Sequence, residues 1–153
     1  MYLQSQKHLL IGIAALITLA VFPAAGAHRD FLNGTWVLMP ARSDFAGQPA
    51  IQTGSLTISE RQHHIYVSRT FNFTGDFGTA SYSFSDDGSE NSTIHEGKTI
   101  KSKAKWQGDV LQVTTARDGV TTTERFSLQP DGTLRLTVEG ADRGVLTLAF
   151  RRQ

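Results

Sequence analysis

The chain has 153 residues, 39% of them hydrophobic and 19% charged, with 15 Lys and Arg set against 14 Asp and Glu for a net charge of +1. That length accommodates one domain of ordinary size, and the near balance of charge gives a nucleic-acid partner no electrostatic footing. Cysteine is absent, which excludes disulfides, thiol catalysis, cysteine metal sites and thiol-linked lipid.

Residues 1–27 have the layout of an export signal. Lys7 gives the positive start, 9–21 is an uncharged apolar run, Pro23 breaks the helix, and Ala25-Gly26-Ala27 is a small-x-small cleavage site. The expectation is cleavage before His28, with no membrane anchor left afterwards; an uncleaved span over 9–27 is the alternative. Removing 27 of the 153 residues leaves 126 as a single domain, 28–153, and loses Lys7, so the net charge falls from +1 to 0. An exported protein without disulfides fits the bacterial periplasm or the extracellular space. Asn33, Asn72 and Asn91 each begin an Asn-x-Ser/Thr sequon, a pattern that chance also produces in a chain rich in Ser and Thr.

From Gly34 onward the signal is alternation with frequent turns and no 3.6-residue apolar period. A first strand is expected at 35–39. The stretch 40–53, holding Pro40 and Pro49, reads as a loop or lid over one barrel end. Strands follow at 55–60, 63–73, 79–85, 91–95, 99–106, 110–116, 120–128, 133–139 and 144–151, ten in all, or eight if short neighbours merge. Asp86-Asp87-Gly88, Glu96-Gly97, Gln107-Gly108-Asp109, Asp118-Gly119 and Pro130-Asp131-Gly132 supply the positive-φ residues of tight turns, so each strand is expected to pair with the next. The fold class is therefore all-β: a single antiparallel up-and-down meander of 8 to 10 strands, closed into a barrel because an open meander would leave two sticky edges and one apolar face.

Parity assigns the faces. Lys101, Lys103 and Lys105 alternate with Ile100, Ser102, Ala104 and Trp106, so the lysines point out. The same reasoning turns Ile65, Val67, Phe71, Phe73, Tyr82, Phe84, Leu111, Val113, Phe126, Leu128, Leu134, Leu136, Val138, Leu146, Leu148 and Phe150 inward. Trp36 near one terminus and Arg152 at the other become a candidate closure pair across the barrel, with Arg151 as the alternative if a bulge shifts the parity.

Arg69, Tyr82, Ser102, Thr115, Thr122 and Glu124 also fall on inward positions. Charges do not sit unpaired in a dry core, so Arg69 and Glu124 must pair, meet water or meet a ligand, unless a slipped register turns them to solvent. The candidate ligand-binding residues are accordingly Arg69, Tyr82, Ser102, Thr122 and Glu124, with Arg69 and Tyr82 suited to clamp a carboxylate. His63 and His64 point to opposite faces of a strand and do not chelate one ion, so no metal site is expected. There is no Gly-x-Ser-x-Gly elbow and no phosphate loop, and most carboxylates sit in turns. No catalytic residue and no cofactor are assigned.

Asn33-Gly34-Thr35-Trp36-Val37-Leu38 and Phe150-Arg151-Arg152 resemble the first and last strands of the lipocalin and fatty-acid-binding-protein type of barrel, the calycin group. The opening Asn33-Gly34-Thr35-Trp36 with the Pro40-Ala41-Arg42-Ser43-Asp44 stretch, and a second stretch from the turn at Asp86-Asp87-Gly88 to Lys103-Ala104-Lys105-Trp106-Gln107-Gly108-Asp109-Val110-Leu111-Gln112-Val113-Thr114-Thr115, look closer still to small secreted bacterial lipocalin-like proteins. The resemblance implies a lumen holding a small apolar or amphipathic molecule, and the chain departs from fatty-acid-binding proteins in lacking a helix pair after the first strand. Two other readings stand beside this one. One is a periplasmic protein-interaction module, such as a proteinase inhibitor, inserting the arm 28–32 or the loop 40–53 into a partner protein. The other is a calycin-type isomerase or cyclase.

Overall fold

A computed structural model of the chain describes residues 29–141 and 143–153; the expected leader and its cleavage point lie outside the described residues. Ten strands follow in order: β1 Gly34–Leu38, β2 Thr53–Arg61, β3 His64–Phe73, β4 Asp76–Ser85, β5 Asp87–His95, β6 Lys98–Gln107, β7 Val110–Arg117, β8 Val120–Leu128, β9 Leu134–Gly140 and β10 Arg143–Arg152. They form one sheet in the order β4-β3-β2-β1-β10-β9-β8-β7-β6-β5. Short neighbours do not merge, and the count stands at ten.

The first and last strands pair, with Trp36 opposite Arg152 and Leu38 opposite Phe150. The Arg152 guanidinium lies 4.3 Å from the Trp36 ring centroid, a cation–π contact of about 0.5–2 kcal/mol. Its Nη1 and Nη2 donate to the carbonyls of Asn33 and Phe31 at 2.6 and 2.8 Å, so the arginine ties the end of the last strand to the segment before β1. Gly34 makes this possible: its φ is +133°, and a Cβ there would stand 2.9 Å from Arg152 Nη1.

The first and last strands of the meander pair, and the sheet stays open between β4 and β5. β4 and β5 are joined through Asp86 alone, yet they occupy opposite edges of the sheet, which corrects the expectation that every strand pairs with its successor. A tight turn brings two strands together, but side chains must then hold them. From Asp87 to Thr93, β5 has no apolar residue, and its register slips between Asp87 and Glu90. A side-chain bond from Asn91 Nδ2 to the Ser83 carbonyl at 3.0 Å spans the gap.

Burial divides the inner face in two. At the end bearing the β2–β3, β4–β5, β6–β7 and β8–β9 turns, a 3-10 turn at Asp30–Leu32 plugs the barrel. Leu32 is buried and its carbonyl accepts the Trp36 indole N–H at 2.9 Å. Trp36, Leu56, Ile65, Val67, Phe84, Ala104, Leu111, Val113, Phe126, Leu134, Leu136, Leu148 and Phe150 fill this capped half, none more than 2% exposed. One or two inward positions further along each strand, at Phe71, Phe73, Ala80, Tyr82, Ile100, Ser102, Thr115, Thr122, Val138 and Leu146, the side chains are only partly buried. Leu128, expected inside, sits on the capped rim at 38% exposure because β8 ends there.

The segment 39–52 is no free lid. Met39 N–H bonds the Ala149 carbonyl, and Asp44 exchanges two backbone bonds with Thr147, prolonging β1 along the edge of β10. Ile51 is buried, and Phe45 packs against the core.

Candidate ligand site in the barrel lumen

The polar group of the lumen stands where the dry half gives way to the partly exposed half. β3 alternates Ile65, Val67, Arg69, Phe71 and Phe73 on its inner face, which places Arg69 directly above the sealed layer. On the strands of opposite direction, Glu124 precedes Phe126 on β8 and Tyr82 precedes Phe84 on β4, at the same level. The three converge across the barrel. Arg69 Nη1 donates to Glu124 Oε1 at 2.6 Å, and Tyr82 Oη donates to Glu124 Oε2 at 2.9 Å. The carboxylate thus has a partner on each oxygen, which is what allows a charge to sit at 10% side-chain exposure. No register slip intervenes, and the charges do not turn to bulk solvent.

Aromatic rings hold the cation from two sides. Arg69 Cζ lies 5.3 Å from the Tyr82 centroid and 5.9 Å from that of Phe71. Phe71 in turn stacks on Phe150 at 6.4 Å and folds over Gly54, where any Cβ would stand 2.6 Å from Phe71 Cδ1. Glycine at position 54 is a condition of that ring position. Burial acts to depress the Arg69 pKa, but the Glu124 charge, Tyr82 and the hydrogen bond to Glu124 more than offset it, and the net shift is upward. Burial first, then the neighbouring Glu124 charge, raises the Tyr82 phenol well above its ordinary value.

Ser102 and Thr122 stand apart from this triad, one inward step toward the far end. Ser102, Thr115 and Thr122 are opposite one another on β6, β7 and β8, with Ser102 Oγ 3.5 Å from Thr115 Oγ1. Apolar Phe45, Phe71, Phe73, Val138 and Leu146, all partly buried, complete this half. The far half of the inner face therefore sets partly buried apolar side chains and a row of hydroxyls above a hydrogen-bonded ion pair.

The other candidates fall outside the lumen. Lys98, Lys101 and Lys103 face outward and pair with Asp118 or Glu90. Sequence reasoning missed the turn at Gln62 and His63, whose φ values of +50° and +64° belong to residues carrying no glycine signal. That turn leaves His63 Nδ1 3.5 Å from Asp86 Oδ1, whose partner oxygen accepts the Trp106 indole N–H at 3.2 Å. Each segment proposed for insertion into a partner is anchored by a buried residue, Leu32 in the described part of the arm and Ile51 in the loop.

No family model matches the chain, and no curated protein is similar to it in sequence. Solved structures do share its architecture. The chain is similar to a fatty acid transporter, REP1-NXSQ, at 18% identity over 80% of this chain and 96% of that one, with a TM-score of 0.61. It is similar to the fluorescent protein UnaG at 22% identity over 79% and 96%, with a TM-score of 0.60. Secretory abundant heat soluble protein 4 from Ramazzottius varieornatus follows at 16% identity over 80% and 94%, also with a TM-score of 0.60. Fold and comparisons together define a lipocalin-like barrel fold, a ten-stranded antiparallel meander nearly closed on itself.

Proposed function

We propose that this protein is an exported barrel that binds a small apolar or amphipathic molecule in the far half of its lumen. The observation that carries the reading is the divided inner face: in one half Trp36, Leu111, Phe126, Leu134, Leu136 and Phe150 have no exposed surface, while the other leaves aromatic, aliphatic and hydroxyl side chains partly open around one polar triad. A chain that needed only a core would fill both halves, since partly exposed Phe, Val and Leu forgo about 25 cal/mol for each Å² left in water. Ser102 and Thr122 would meet the polar part of the ligand, Arg69, Tyr82 and Glu124 would meet its head group, and Phe71, Phe73, Val138 and Leu146 its apolar body. The fatty acid transporter among the similar structures fits this reading. Export would follow from removal of 1–27.

Native mass spectrometry of protein recovered from its own export compartment tests the proposal. A retained small molecule, released on denaturation, supports it. Ligand-free protein that also fails to take up fatty alcohols or fatty acids would remove it.

A further inference from the structure

We propose that Glu124 sets the ligand class of the lumen: by neutralising Arg69 it selects long-chain molecules with a neutral hydrogen-bonding head, such as an alcohol or amide, over ionised carboxylates. The inference deepens the lumen-binding reading and rests on it.

An inward arginine beside a tyrosine is a receptor for a carboxylate, and here the protein's own carboxylate already fills it. Both Glu124 oxygens are engaged, by Arg69 at 2.6 Å and Tyr82 at 2.9 Å. An ionised ligand head reaching Arg69 would come within a few ångströms of the Glu124 charge, in surroundings where water screens poorly, and would turn a neutral pair into a net negative cluster. A neutral head avoids that repulsion. Arg69 makes one side-chain hydrogen bond among the described residues, through Nη1, and its side chain is 27% exposed, so further N–H groups of the guanidinium are available to a ligand oxygen. The Tyr82 oxygen donates its proton to Glu124 and keeps lone pairs, so it can accept an O–H or N–H from the same head group. Arg69 stays charged throughout, since its pKa is raised rather than lowered.

The test is calorimetric titration with oleyl alcohol and oleate, each delivered from cyclodextrin, at a pH where oleate is ionised. Wild-type protein should bind the alcohol at least about tenfold more tightly than the anion, a difference of about 1.4 kcal/mol. Glu124→Gln, which keeps the shape and removes the charge, should reverse the order by tightening oleate. Adding Arg69→Gln to Glu124→Gln should abolish that gain, because the gain comes from the freed guanidinium. Wild-type protein that prefers oleate, or a folded Glu124→Gln variant with unchanged preference, overturns the inference while leaving lumen binding intact. Should Glu124→Gln not fold, the wild-type order decides alone. Binding of neither ligand by wild-type protein removes the lumen reading itself.

Discussion

The two halves of this barrel are built from the same meander and the same alternating pattern, yet one is a packed core and the other a partly exposed, amphipathic face. In the capped half, the inner positions carry Trp36, Leu111, Phe126, Leu134 and Phe150, and the 3-10 turn at Asp30–Leu32 closes over them. In the far half, the same strands place Ala80, Ser102, Thr115 and Thr122 inward, and the Phe71 ring folds over Gly54. Arg69, Tyr82 and Glu124 mark the border. The proposed function assigns stability and binding to successive layers of one sheet, and substitutions should separate them.

The largest effect is expected at the seam. Trp36→Ala removes a side chain with no exposed surface and should destabilise the protein by about 3–5 kcal/mol, a large share of the total stability of a domain this small. Arg152→Ala should cost less. Denaturant melts of both variants and the double variant should give a coupling of about 1 kcal/mol, and strict additivity would contradict the stacked geometry.

Paired phenylalanines probe the division directly. Phe126→Ala in the capped half should lose about 3–5 kcal/mol, with ligand affinity altered only through unfolding. Phe71→Ala, on a ring already partly exposed, should lose about half as much yet weaken fatty-alcohol binding more. Equal stability losses, read from the same melts, would mean that the far half is core as well.

At the border, single substitutions should hurt more than a matched pair. Glu124→Leu leaves Arg69 without its counter-charge and Arg69→Met leaves Glu124 without its own, each costing about 2 kcal/mol after allowance for the 27% exposure of Arg69. The double variant should cost less than either sum predicts, and a plain sum would show that the ion pair contributes no coupling.

Much of this was legible in the sequence because parity is unforgiving. A one-residue slip would have turned Lys101, Lys103 and Lys105 inward, so alternation alone placed Arg69, Tyr82 and Glu124 on the inner face. Their partnership was not legible: Arg69 and Glu124 are 55 residues apart, and only closure and shear of the barrel bring β3 and β8 opposite one another. The gap at β4–β5 was hidden by a turn sequence that suits a hairpin, and the anchoring of 39–52 to β10 leaves no periodic trace. The turn at Gln62 and His63 was missed because positive φ there falls on residues that rarely adopt it.

The smallest expected effect is alkaline. Burial, then Glu124, raises the Tyr82 phenol above its unfolded value, so the folded state holds that proton more tightly than the unfolded state. The associated stability is fully present below the unfolded tyrosine pKa of about 10 and is lost as pH rises toward the folded value. Thermal melts of Tyr82→Phe should show a flatter alkaline limb than wild type. An unchanged limb would place the titration elsewhere.

The division of the lumen is tested most directly by nuclear magnetic resonance of isotopically labelled protein titrated with oleyl alcohol. The account predicts shifts at Phe45, Phe71, Phe73, Ser102, Thr122, Val138 and Leu146, with Leu111, Phe126, Leu134 and Leu136 nearly unmoved. Shifts confined to the outer face, or spread evenly through both halves, would contradict it.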